Sequence, residues 1–183
     1  MRTFTNLIVI SICFLMLASC SEKDSKWEKF NVTEGNYSIL MPSDAKKYVK
    51  QEETIFGKQA VHYLSWKPST FSLNKIKLFQ VTYTSCPRSA MADTVLLNAT
   101  LDNSIENRKK NDFSEIEVAT QRVDINGYPG RAFIYGAPKD NVITIVKECV
   151  AGDKLYDITV IAKRNYPTNA ELTVFYNSFQ ILR

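Results

Sequence analysis

The sequence predicts an α+β fold, an antiparallel β-sheet flanked by helices. Three observations predict it. Runs rich in Val, Ile, Thr and aromatic residues alternate with period two and are separated by turn signals, most clearly residues 142–150 and 155–162 around Gly152-Asp153. Residues 87–111 change to a helical period, with Met91, Val95 and Ala99 in one row and Leu97, Leu101 and Ile105 in another. The order of strands, one long helix, more strands and a short terminal helix suits an antiparallel sheet with helices packed on it.

Taken in order, residues 27–32 and 37–41 flank Thr33-Glu34-Gly35-Asn36 as a hairpin. Tyr37, Ile39 and Met41 point to one face, and Pro42 ends the second strand. Residues 46–56 are polar and read as a strand or an irregular crossing, and Gly57-Lys58 as a turn. Residues 59–66 alternate, with Ala60, His62, Leu64 and Trp66 on one side. Residues 76–85 form a strong strand with Phe79, Val81 and Tyr83 on one face. After the helix, which ends in Arg108-Lys109-Lys110, residues 113–125 return to strand. Asn126-Gly127 is a hairpin signal, Pro129-Gly130 is read as a second turn, and residues 131–135 pair back. Thr168 and Glu171 form a capping box, followed by Leu172, Phe175 and Phe179 on one helix face. Ile181-Leu182 returns to a sheet edge.

The N-terminus carries an address. Arg2 is a basic n-region, and residues 7–18 form an apolar run too short for a bilayer core, which needs ~20 residues, but right for a signal-peptide h-region. Leu17-Ala18-Ser19-Cys20 resembles the lipobox of bacterial lipoproteins. That resemblance implies cleavage before Cys20 and acylation of its sulfur and amine, with palmitate-type chains as the lipid anchor. Several chains on one residue hold a protein to the membrane far more firmly than one. The expected layout is a signal peptide over 1–19, a lipidated tether over 20–26 and one α+β domain over 27–183. The expected location is the bacterial cell envelope, with the outer membrane (periplasmic or surface face) ahead of the inner membrane.

The chain is 45% hydrophobic and 11% aromatic, so its bulk is globular. Its 23 Lys+Arg exceed its 19 Asp+Glu by a net +4. The excess is interspersed, unlike the clustered footprint of a nucleic-acid binder, and no nucleic-acid partner is expected. Cys13 leaves with the signal and Cys20 is acylated, so Cys86 and Cys149 form the one disulfide available, in strands that could lie side by side, or remain two buried thiols.

Chemistry-bearing motifs are few. The single histidine, His62, falls in an alternating strand and reads as a sheet residue. One His without a paired Cys motif gives no zinc ligand set. The chain has no Gly-X-Ser-X-Gly elbow and no phosphate-cradling Gly-rich loop. Asp102 and Glu106, one helical turn apart, read as a solvated pair rather than catalytic acids. Tyr128, Tyr135, Tyr156 and Tyr166 either line a binding face or finish a half-wet sheet. Asn31 and Asn36 stand in glycosylation sequons that carry no information in a bacterial lipoprotein.

The pattern around Gly127-Tyr128-Pro129-Gly130-Arg131 resembles the PsbP-like superfamily, which includes DcrB-type bacterial lipoproteins and Mog-type Ran-binding proteins. Supporting segments are Tyr37-Ser38-Ile39-Leu40-Met41-Pro42, Ile125-Asn126-Gly127-Tyr128-Pro129-Gly130, Gly152-Asp153-Lys154-Leu155-Tyr156-Asp157-Ile158 and Phe175-Tyr176-Asn177-Ser178-Phe179. The resemblance implies a PsbP/Mog-like α/β sandwich that binds other proteins, and it transfers no site residues. The expected function is a membrane-tethered, non-enzymatic binding or accessory module with an envelope protein partner. The alternative is a small-molecule or metal-binding lipoprotein with a pocket between sheet and helix. No catalytic, cofactor or metal residues are expected, and a pocket of convergent carboxylates would point instead to an enzyme.

Overall fold

The computed structural model describes residues 26–69, 75–112, 119–136, 141–165 and 170–182. The signal, the acyl-accepting Cys20, the tether up to residue 25, Tyr166 and the Thr168 cap lie outside the described residues. The strands are β1 (Trp27–Val32), β2 (Tyr37–Pro42), β3 (Lys46–Thr54), β4 (Gly57–Trp66) and β5 (Ile76–Ser85), then β6 (Ala119–Ile125), β7 (Tyr128–Tyr135), β8 (Val142–Ala151), β9 (Lys154–Lys163) and β10 (Gln180–Ile181). Helix α1 (Thr94–Asp112) separates β5 from β6, and α2 (Ala170–Ser178) precedes β10. All strand pairs are antiparallel, in two sheets of order β1-β2-β10 and β3-β4-β5-β9-β8-β7-β6. The fold is α+β, as the sequence predicts. Among the described residues no helix is long and apolar enough to cross a membrane.

The predicted hairpins form, and their turn residues explain why. Asn126 and Gly127 both have positive φ (55° and 86°), the conformation a two-residue turn between right-twisted strands requires. The Asp124 carboxylate accepts from the Gly127 N–H at 2.8 Å. Pro129-Gly130 differs from expectation and is strand, not turn. Pro129 lies one residue beyond the Gly130–Cys149 pair that ends the β7–β8 ladder, so its missing N–H interrupts no pairing there. At Gly130 an added Cβ would lie 2.4 Å from the Glu148 carbonyl oxygen. We expect Gly130→Ala to cost about 1–3 kcal/mol, the range for forcing extra atoms into a packed site, read as a lower urea midpoint.

The main core lies between the two sheets. Tyr37, Ile39 and Met41 of β2 meet Leu64, Trp66, Phe79, Val81, Tyr83, Tyr156, Ile158 and Val160 of the large sheet, and α2 closes the layer with Leu172, Phe175 and Phe179. The predicted faces of β2, β5 and α2 are the buried ones. Ile181 returns the chain to an edge as predicted, though to the small sheet, where it pairs with Tyr37.

The long helix starts later than its apolar pattern suggests. Residues 88–91 form a 3₁₀ turn, and α1 begins after Asp93, whose carboxylate accepts from the Leu96 N–H at 2.8 Å. Within α1 the row of Leu97, Leu101 and Ile105 packs inward, and of the other row Met91, in the 3₁₀ turn, joins it. Val95 of the other row is 76% exposed. Between the apolar side chains Thr100 and Ser104 are buried, so α1 binds the sheet by a narrow stripe and by polar contacts.

Of the two cysteine readings the structure has the second, without the disulfide. Cys86 and Cys149 are free, buried thiols. Strand β9 lies between β8, which carries Cys149, and β5, which Cys86 follows. Two strand spacings of about 4.8 Å separate them, whereas a disulfide needs Cα atoms within about 7 Å. They also belong to different clusters, Cys149 to the main core and Cys86 to the one under α1. Burial pushes the Cys86 thiol up to about 11 and raises Cys149 further, so neither is a thiolate at neutral pH. Titration under denaturing, non-reducing conditions should find both thiols reactive.

Candidate functional site

The outer face of the large sheet, away from the small sheet, is only partly covered. Among the described residues α1 packs on β7 and β8 and makes no comparable contact with β3, β4 or β5. Side chains on one face recur every second residue. The open half therefore presents Thr82 and Thr84 from β5, Val61 and Tyr63 from β4, and Glu52 and Thr54 from β3. Between this half and the flank of α1 lies a cleft of about 340 Å³, within the range of small-ligand sites. Ser104, Asn107 and Arg108 of α1 wall it, with Asp157 and Thr159 of β9 at its base.

An ion network sits at the inner end. Glu148 of β8 and Asp157 of β9 are direct cross-strand partners. Two like charges so placed repel, and the fold answers with one cation and one proton. Arg108 reaches down from α1 to Asp157 at 2.5 Å and to Glu148 at 3.7 Å. Its guanidinium also lies over the Phe133 ring, 5.8 Å from the centroid. Burial works against the charge on Arg108, but Asp157 and then Glu148 outweigh it and its pKa is raised. Glu148 is fully buried, its side chain 0% exposed. Burial, then the Asp157 charge, raises its carboxyl well above the ordinary glutamate value, which favours its protonated form.

The remaining hydrogen bonds fit that state. Ser104 donates to Glu148 Oε2 at 2.7 Å and Thr82 to Asp157 Oδ2 at 3.3 Å. Glu148 Oε1 and Asp157 Oδ1 are buried without another partner. A proton on the first, donated to the second, pairs both, and a hydrogen bond between these carboxyls contributes to the raised Glu148 value. Glu148 thus faces Asp157 and α1, with no exposed surface from which to reach a bound molecule. Through Arg108 this pair clamps the helix to the sheet, with Asp157 at the base of the cleft.

A second clamp holds the helix to β7. Arg131, buried, donates through Nε to Asp102 at 2.7 Å and through Nη2 to Asn98 at 2.9 Å. Asp102, expected as half of a solvated pair with Glu106, is exposed as expected and also anchors the helix. Its carboxyl is held below the usual aspartate range first by this hydrogen bond.

The mouth of the cleft is acidic. Glu52 and Glu53 stand at the far end of β3. Tyr63 lines the wall, its hydroxyl pushed up first by burial and then by its hydrogen bond with Glu52. Its ring stacks on Tyr48 at 4.6 Å, with the Lys50 ammonium 5.4 Å from the Tyr48 centroid.

Of the tyrosines singled out from sequence, the three among the described residues do not make a face. Tyr156 is core, its hydroxyl donating to the Gly35 carbonyl at 2.8 Å, and Tyr128 packs against the same core. Tyr135 packs beside Phe133 under α1. His62 stacks on Tyr83 at 4.5 Å, a sheet residue as expected. Among the described residues no group of three or more His, Cys, Asp or Glu is placed to hold a metal. The cleft residues Tyr63, Arg108 and Asp157, and Glu148 buried behind them, were not singled out from the sequence.

The sequence matches no family model and no curated protein. Among solved structures the chain is similar to cyanobacterial PsbP (CyanoP) from Synechocystis sp. PCC 6803, with a TM-score of 0.51 and 10% identity, over 91% of this chain and 99% of that one. At that identity the likeness establishes the fold, which is PsbP-like.

Proposed function

We propose that the chain is a membrane-tethered, non-enzymatic binding or accessory module of the bacterial cell envelope, held by an acylated Cys20, and that the cleft beside α1 receives its partner. The observation that carries this reading is the cleft itself: a polar hollow between sheet and helix, open on one side and backed by a charged clamp that fixes its shape. The PsbP-like fold and the lipobox support the same reading. The acids at the inner end are occupied by Arg108 and by each other, which favours recognition over proton transfer. A protein partner fits the open, shallow mouth, and a small polar ligand fits the enclosed inner end.

The test has two parts. Mass spectrometry of the mature protein should show a chain beginning at acylated Cys20. A photoreactive residue at Glu53, on the cleft rim, should crosslink a specific envelope component in intact membranes, while one at exposed Val174 on α2 should not. Equal crosslinking from both positions, or from neither together with no ligand-induced rise in thermal stability, would remove the reading.

A further inference from the structure

Charge is distributed unevenly along β3. The strand opens with Lys46 and Lys47, passes Lys50, and ends at Glu52 and Glu53, so its sign reverses over about 23 Å. The basic end is the one from which the tether leaves. The Lys26 carbonyl accepts from the Ser43 N–H at 2.8 Å, two residues after which β3 nears its start. Trp27 rests on Phe79, ring centroids 5.4 Å apart. Phe79 pairs with Trp66, the residue before Lys67, and lies two residues after Lys77. Lys26, Lys46, Lys67 and Lys77 are all exposed and surround this exit. Lys163 and Arg164 extend the basic edge at the end of β9. Lys47 is partly answered by Glu34 at 3.6 Å. The acids on these same segments are Glu28 and Asp44.

We propose that this end of the large sheet is a docking surface for anionic phospholipid headgroups, carried by Lys26, Lys46, Lys67 and Lys77. The proposal rests on the acylated Cys20 of the preceding reading for bringing the surface to the membrane. Six residue steps from Cys20 to Lys26 reach at most about 20 Å, so the tether keeps these lysines beside the headgroups at high effective concentration. A lysine near an anionic surface contributes about fivefold in partitioning, and the attraction falls off within a Debye length of about 8 Å in physiological salt. The four lysines turn this end of the sheet to the bilayer and leave the cleft mouth, beside Glu52 and Glu53 at the far end of β3, facing away from it.

The experiment is amine labelling of the mature protein on vesicles, read lysine by lysine by mass spectrometry. With phosphatidylglycerol present at low salt, Lys46, Lys67 and Lys77 should label several-fold more slowly than on phosphatidylcholine alone. Exposed Lys58, at the opposite end of the sheet, should label equally on both. High salt should abolish the protection while the acylated protein stays on the vesicles. In a K46E/K67E/K77E variant the protection of Lys26 should disappear. Equal rates at both ends on both lipids, or protection of Lys26 that survives charge reversal, overturns the proposal. Release from phosphatidylcholine vesicles in high salt would instead mean that the acyl anchor is absent. In that case flotation with anionic vesicles at low salt decides the question. The wild-type chain should float and the triple variant bind about a hundredfold less tightly or worse, and a wild-type chain that stays down refutes the surface.

Discussion

Arg108→Met is expected to destabilise the folded chain by about 3–5 kcal/mol at neutral pH, the usual cost of removing one partner from a buried ion pair. The arginine pairs with both Asp157 and fully buried Glu148. Methionine fills part of the volume and keeps contact with Phe133, but leaves the Asp157 charge without its counterion. A loss of that size is a large share of a domain's usual 5–15 kcal/mol, so the single variant will unfold at much lower urea. The compensated variant R108M/E148Q/D157N keeps the idea testable if the single one does not fold. With both carboxyls made neutral, the charge that needed Arg108 is gone, and most of the lost stability should return, because neutral replacement of a buried network is often tolerated. An R108M chain within about 1 kcal/mol of wild type, or a triple variant no better than the single, would show that the network does not hold α1 to the sheet.

That network marks the limit of what the residues alone reveal. The core faces were legible because burial imposes a period: Tyr37, Ile39 and Met41 on β2, and Leu172, Phe175 and Phe179 on α2, point inward as their spacing says. The turns were legible because Asn126 and Gly127 adopt a backbone conformation few residues accept. The helix was half legible. Its second row packs inward, but Val95 faces water because α1 lies chiefly over β7 and β8, a fact about sheet order rather than local pattern. Division into two sheets was hidden for a similar reason, since β10 is two residues long and its partner lies far away in sequence. The disulfide expectation failed on the same ground, because two strand ends can share a sheet with a third strand between them.

The buried acids did leave a signal. Glu148 and Asp157 are the acids of two Val- and Ile-rich strands, and the turn at Gly152-Asp153 sets Ala151 opposite Lys154, which carries Glu148 to a position facing Asp157. Two acids directly opposed across a hairpin require a counterion or a shared proton. Arg108, one residue of a charged run at the end of the helix, was the obvious supplier, though only the packing of α1 assigns it that role. The cleft is less legible still, because it exists where α1 does not reach.

The shared proton leads to the second large effect. Glu148→Gln should remove a pH dependence rather than an interaction. The glutamine amide can donate to Asp157 Oδ1 and accept from Ser104 Oγ, as the protonated acid does, and it does not titrate. In the wild type the folded state keeps a proton on Glu148 that the unfolded chain releases above about pH 4.5, the ordinary glutamate value. The folded state therefore binds more protons over that window, and stability falls as pH rises through it, by up to about 1.4 kcal/mol per pH unit for one proton. Below the ordinary value both states are protonated and the contribution is present in full. Carboxyls held low in the folded state, such as Asp102, give the opposite slope, so the diagnostic is the difference between two chains that share them. Urea unfolding from pH 4.5 to 8 should find E148Q close to wild type at the acid end and progressively more stable above it, until Glu148 ionises in the native protein and the gap levels off. Parallel stability curves would mean that Glu148 is already ionised in the fold, and that Arg108 alone balances two buried negative charges.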